Sequence, residues 1–185
     1  MPNWCDNVVE ITGPKESRDK LLKEVRDHAD RKKLVFPDME KEDLISLLQT
    51  FIPVSDYFSS MEGYNNGGYE WCLRNWGCKW PEKDVHIVEL EDSIDLMFDT
   101  PWAPPLEGYY LISTLYPDLM FIHYYKDEGM MFMGIQVYQN GIKVFENEID
   151  NDHLPQLDDY EAYEEYFDNL KQDFFDSARK ATSID

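Results

Sequence analysis

The chain has 185 residues, with 17 Lys+Arg against 38 Asp+Glu, for a formal net charge of −21 at pH 7. Hydrophobic residues make up 43% and aromatics 15%, which is too apolar for a disordered acidic chain and predicts a packed core. The acidity excludes nucleic-acid binding through a basic surface and disfavours anionic membranes, since like charges repel. It leaves cationic partners, metal ions or imitation of a nucleic acid.

Residues 4–12 (Trp-Cys-Asp-Asn-Val-Val-Glu-Ile-Thr) read as a first strand. Gly13-Pro14 then breaks it, with Pro14 suited to the first turn of a helix. Leu21, Leu22, Val25 and Ala29 fall at helical spacing and predict an amphipathic helix from 15 to about 33. Leu44, Leu47, Leu48 and Phe51 suggest a short helix ended by Pro53, and Glu70 to Trp76 one or two turns stopped at Gly77. Between them, Met61-Glu62-Gly63-Tyr64-Asn65-Asn66-Gly67-Gly68 has turn chemistry and is expected to be a mobile loop.

Val85, Ile87 and Val88 begin a strand before the polar turn Glu91-Asp92-Ser93. Ile94, Leu96 and Phe98 then alternate with Asp95, Met97 and Asp99, the period of a half-buried strand. A helix from about 105 to 116 closes at Pro117, and strands follow at 119–126 and 131–139. Asn140-Gly141 is a strong hairpin signal leading to a strand at 142–148. The order β-α-(irregular)-β-β-α-β-β-β is a split βαβ core with extra antiparallel strands, an α+β class of ferredoxin-like sandwich.

Residues 1–150 are read as this α+β domain. Residues 151–185 are read as a polar linker and a C-terminal amphipathic helix, from about 157 to 180, packed on the same domain. Tyr160, Tyr163, Phe167, Leu170 and Phe174 share one face of that helix, and Asp158, Glu161, Glu165 and Asp168 the opposite one. Residues 1–42 carry a net charge of only −1, while 43–145 and 146–185 carry −10 each.

Cys5, Cys72 and Cys78 are an odd set without disulfide or metal-site spacing, so buried free thiols in a reducing compartment are expected. The N-terminus has neither the basic nor the apolar region of a signal peptide, and no apolar run reaches membrane-spanning length. A cytoplasmic protein is the expectation.

Three segments carry a resemblance: Pro2-Asn3-Trp4-Cys5-Asp6-Asn7, Asn75-Trp76-Gly77-Cys78-Lys79-Trp80, and Phe98-Asp99-Thr100-Pro101-Trp102-Ala103-Pro104-Pro105 followed by Glu128-Gly129 and Gly134. Over roughly residues 1–140 the chain resembles the YubB-like family of phage and plasmid proteins, a domain of unknown function. The resemblance implies a ferredoxin-like fold, without an iron–sulfur cluster, and a mobile-element origin. It implies no catalytic activity.

The sequence has no nucleophile elbow, no P-loop, no dinucleotide-binding glycine motif and no paired-histidine metal motif. No catalytic residue, cofactor or metal is expected. Two candidate sites remain. Trp4, Trp76, Trp80 and Trp102, with Asn3, Asn7 and Lys79, either line a ligand or nucleotide pocket with Lys79 meeting an anion, or lock a loop onto the sheet edge. The second candidate is an acidic surface made by Glu89, Glu91, Asp92 and Asp95 of the hairpin with Asp158, Glu161, Glu165 and Asp168 of the last helix. It either meets a partner or serves solubility.

The leading expectation is a non-enzymatic phage or plasmid accessory protein, monomeric or homodimeric, in the host cytoplasm. Its acidic surface would bind a host protein with a basic or nucleic-acid-binding surface, as a DNA mimic acting against a defence system. Direct contact with nucleic acid or membrane is not expected. The alternative is a small-ligand module built on the Trp/Lys79 region.

Overall fold

The computed structural model describes residues 3–127, 129, 132–150, 152 and 160–182, with 160–164 as backbone only. Six strands form one sheet: β1 (Trp4–Thr12), β2 (Lys83–Glu89), β3 (Ser93–Pro101), β4 (Met120–Asp127), β5 (Phe132–Gln139) and β6 (Ile142–Asp150). Their order is β2-β3-β1-β4-β5-β6, and every neighbouring pair is antiparallel. The first four strands, with α1 (Lys15–Val35) between β1 and β2 and α6 (Leu106–Leu115) between β3 and β4, form the ferredoxin-like core. Strands β5 and β6 extend it beyond β4.

A long insertion fills the α1–β2 connection with α2 (Leu47–Phe51), α3 (Asp56–Ser59), α4 (Met61–Gly63), a kinked segment at Tyr64–Gly68 and α5 (Tyr69–Asn75). The glycine-rich stretch expected to be a mobile loop is thus short helical turns joined by a kink at Asn66 and Gly67, where Gly67 takes φ 114°. Ser55 and Ser60 cap α3 and α4, each hydroxyl accepting the backbone N–H three residues on. Capping satisfies donors that turn chemistry alone would have left to water.

The sheet packs on both faces. Cys5, Asn7, Val9 and Ile11 of β1 point toward a layer made by Leu21, Leu22 and Val25 of α1, Tyr109 and Ile112 of α6, and Leu47, Leu48 and Trp76 of the insertion. On the opposite face, Ile122 and Tyr124 of β4 and Met133, Ile135 and Val137 of β5 meet Phe167, Phe174, Phe175 and Ala178 of α7 (Tyr160–Thr182). Burial on both faces is why β4 and β5 read as nearly continuous apolar runs. Helix α7 contacts β4, β5 and β6, which leaves the second face of β1, β3 and β2 partly open, with Met97 39% exposed and Val88 40%.

The β5–β6 connection has Asn140 at φ 53° and Gly141 at φ 65°, the left-handed pair of a type I′ hairpin turn whose twist matches the strands. A Cβ on Gly141 would lie 2.5 Å from Thr114 Cγ2. Gly141→Ala should therefore cost about 1 kcal/mol or more in urea unfolding; no change would mean that the turn can relax to another type.

Among the described residues no helix is long and apolar enough to cross a membrane.

Candidate functional site

Helix α7 lies beside the open half of the sheet, and the step between them is a groove of about 490 Å³. Its floor is Val8 and Met97, its wall Phe175, and its rim carries Glu10, Asp95 and Asp168 with Lys171 and Arg179. Register explains the carboxylates. Glu10 of β1 stands directly opposite Asp95 of β3, as Asp6 does opposite Asp99, and like charges placed so repel one another. At the Asp6–Asp99 end, lysines occupy the flanking register positions: Lys126 opposite Asp6 and Lys83 opposite Asp99.

At the Glu10–Asp95 end, the compensation found among the described residues comes from α7. Arg179 reaches Glu10 at 2.5 Å and lies over the Phe175 ring at 5.5 Å, while Lys171 lies over the Tyr124 ring at 5.3 Å. Among the described residues, no lysine or arginine pairs with Asp95 or Asp168. Asp95 accepts a hydrogen bond from the Ser93 hydroxyl at 3.2 Å. Arg179 is thus committed to Glu10, while Lys171 keeps its charge over the Tyr124 ring, and three carboxylates against two bases leave the groove an excess of negative charge over an apolar floor.

The other predicted acids fall elsewhere. Glu89 is paired with Arg26 of α1 at 2.5 Å, which takes it out of the groove set. Glu91 and Asp92 are exposed at the β2–β3 turn, where the backbone carbonyls of Leu90 and Glu91 accept from Arg18. Glu165 is exposed on α7 outside the groove lining. Asp158 and the side chain of Glu161 lie outside the described residues. Glu10, which the sequence reading did not single out, belongs to the groove because strand alternation puts it on the same face as Val8.

The tryptophan set divides three ways. Asn7 is buried, its amide donating to Cys5 O at 2.7 Å and Thr100 Oγ1 at 3.0 Å while its oxygen accepts from His123 Nε2 at 2.9 Å. Trp4 is half-buried on β1 and Asn3 exposed beside it. Trp76 is core: it packs edge-on to Trp71 and donates its indole N–H to Ile52 O at 3.0 Å. Lys79 is held between two indoles, 4.6 Å from the Trp80 centroid and 4.2 Å from that of Trp102. Trp76, Lys79 and Trp80 also line a separate cavity of about 500 Å³, to which Asn3, Trp4, Asn7 and Trp102 contribute nothing.

Burial accounts for the titrating groups. His123 is fully buried among Phe98, Tyr109 and Tyr125, and loss of hydration lowers its pKa to about 3, so it is neutral. Its Nδ1 has no hydrogen-bond partner among the described residues. All three cysteines are buried free thiols, and burial pushes Cys72 up to about 11 and raises Cys5 and Cys78 well above the ordinary thiol value, which disfavours the thiolate at neutral pH. Glu82 is a buried carboxyl that no sequence motif marked. It accepts from the Ser46 hydroxyl at 2.5 Å, Leu48 N–H at 3.1 Å and the Tyr109 hydroxyl at 3.2 Å, and so ties α2 to α6. No group of three or more His, Cys, Asp or Glu is placed to hold a metal ion among the described residues.

Comparison with known proteins agrees with the fold. Residues 75–167 match the family model described as the ferredoxin-like domain in Api92-like protein. The chain is 28% identical over 132 residues to an uncharacterized protein, YubB, of Escherichia coli strain K12, covering 62% of this chain and 88% of that one. It is also similar to the crystal structure of a protein api92 from Yersinia pseudotuberculosis, with a TM-score of 0.53 and 14% identity, over 84% of this chain and 100% of that one. The matched segment runs from the Asn75-Trp76-Gly77 motif through β2 to β6 into α7, beyond the limit near residue 140 that the resemblance suggested. By strand order, helix placement and this match, the chain belongs to the family that carries the ferredoxin-like domain of Api92-like proteins.

Proposed function

We propose that this is a non-enzymatic accessory protein of a phage or plasmid that acts in the host cytoplasm. It binds a host protein through the groove between α7 and the open half of the sheet, and the partner's surface is one that otherwise takes nucleic acid. The observation that supports this reading is the convergence of Asp95 on β3 and Asp168 on α7, each without a basic partner among the described residues, over an apolar floor. A partner's arginine or lysine would gain two carboxylates there, and the stem of its side chain would cover Met97 and Val8. Occupying a basic surface in this way keeps nucleic acid off it, which is how an acidic protein imitates a phosphate backbone.

The test is affinity capture from host lysate at about 0.05 M and about 0.5 M salt, since screening weakens steered charge pairing. The bait is the wild type beside the variant Asp95→Lys/Asp168→Lys. Asp168 is exposed and Asp95 half-buried beside Glu10, where a lysine meets an opposite charge, so the variant should melt within a few degrees of the wild type. The expected result is a basic or nucleic-acid-binding protein retained at low salt, lost at high salt and lost by the variant. Recovery of no such protein at low salt, or equal recovery by both baits, contradicts the proposal.

A further inference from the structure

On the opposite side of the sheet from the acidic groove, the insertion lines a second, open cavity. It measures about 500 Å³, within the range of about 300–1,000 Å³ usual for small-molecule sites. Its walls are apolar: Val54, Phe58, Met61, Tyr64, Trp76 and Trp80. The polar groups around it are mostly spent inside the protein. The Ser60 hydroxyl donates to Tyr57 O at 2.6 Å and accepts Gly63 N–H at 3.0 Å. The Ser59 hydroxyl donates to Ser55 O at 3.0 Å.

Among the described residues two side chains differ: Gln49, whose amide lines the cavity, and Lys79, the charged one. In a chain with 38 acidic residues, no carboxylate pairs with it among the described residues. Its ammonium is instead held by the indole faces of Trp80 and Trp102. Cation–π contact positions a lysine without neutralising it, so a full positive charge remains beside an apolar cavity. The wall is also fixed by backbone contact. A Cβ on Gly63 would fall 1.9 Å from Tyr57 O, so only glycine lets the α3–α4 turn close tightly beside Phe58. Glu82 anchors the same insertion from below through Ser46 and Leu48.

We propose that this cavity binds a small amphiphilic monoanion, an aliphatic or aromatic body with one carboxylate, the body lying among Phe58, Trp76 and Trp80 and the carboxylate meeting Lys79. Binding is non-covalent, and it is independent of the acidic groove.

The probes are decanoate and the uncharged decanol, titrated into the full chain at about 0.15 M salt with tryptophan fluorescence and melting temperature as readouts. A surface of net charge −21 would prefer the uncharged probe, so preference for decanoate reports a local cation. Decanoate should give saturable, single-site quenching and raise the melting temperature. Lys79→Met, which keeps the apolar stem, should weaken decanoate about tenfold and leave decanol unchanged. Lys79→Arg should restore most of the decanoate affinity. Met61→Trp, at a position 86% exposed on the rim, should weaken both probes without loss of fold. Absence of saturable binding of decanoate to the wild type overturns the proposal, as does a decanoate affinity that Lys79→Met leaves unchanged or lowers only in step with decanol.

Discussion

Phe174→Ala should cost about 3 to 5 kcal/mol in urea unfolding, and α7 should exchange its amide hydrogens well before the central strands. Phe174 is 2% exposed and sits with Phe175 against the ring of Tyr124, at centroid distances of 6.4 and 6.0 Å. Removing its ring leaves a cavity between α7 and the sheet that neither side can fill, because Ile122 and Ile135 on the strands are fixed by the ladder. Beside the Arg179–Glu10 pair and the Lys171 contact with the Tyr124 ring, the docking of α7 rests on a few apolar side chains. Leu34→Ala is the control: Leu34 is 84% exposed at the end of α1, and its loss should cost little. A Phe174→Ala loss below about 1 kcal/mol would mean that α7 is not seated on the sheet, and the groove would lose its wall.

The second large effect is expected at Glu82. Glu82→Ala should destabilise by about 3 kcal/mol, because the Ser46 hydroxyl, Leu48 N–H and Tyr109 hydroxyl would lose their acceptor in the interior. Glu82→Gln keeps an acceptor oxygen and isolates the charge. Burial raises the Glu82 pKa above its ordinary value, against the lowering effect of the hydrogen bonds from Ser46, Leu48 and Tyr109. The folded state therefore holds the proton more tightly than the unfolded one. This stabilising contribution is present in acid and lost as pH rises through the folded pKa.

Wild-type stability minus that of Glu82→Gln should accordingly move in the wild type's favour as pH falls from neutral through the raised folded pKa. His123 works in the opposite direction. Its folded pKa of about 3 lies below the ordinary 6.5, so acid costs stability there, but both proteins carry it and it cancels in the difference. A difference that is flat with pH, or that moves toward the variant in acid, contradicts the assignment.

The sheet was legible because its signals are local. Ile94, Leu96 and Phe98 alternate as a half-buried strand must, Asn140-Gly141 supplies the left-handed pair its turn requires, and Phe167 and Phe174 mark the inner face of α7. Residues whose role is set by a distant partner were not legible. Asp95 and Glu10 become a pair only through the β1–β3 register, and Glu89 leaves the acidic set because Arg26 of α1 reaches it. Glu82 looks like one more surface acid until the insertion folds over it. In the segment 61–68 the turn signal is met at Gly67, whose positive φ makes a kink, while Gly63 and Gly68 let the flanking turns pack against Tyr57 and Phe58. The tryptophans were singled out as a group by their rarity, yet Trp76 is core while Trp80 and Trp102 hold a lysine, a difference fixed by burial and invisible to composition.

Partner binding at the groove requires negative charge that is local to it and not merely abundant. The direct measurement is a backbone NMR titration of the full chain with an unstructured octa-arginine peptide, followed residue by residue. The expected result is saturable shifts concentrated at Val8, Glu10, Asp95, Met97 and Asp168, removed by Asp95→Lys/Asp168→Lys. Shifts of similar size spread over Glu62, Glu91, Asp92, Glu107 and the rest of the acidic surface would contradict it.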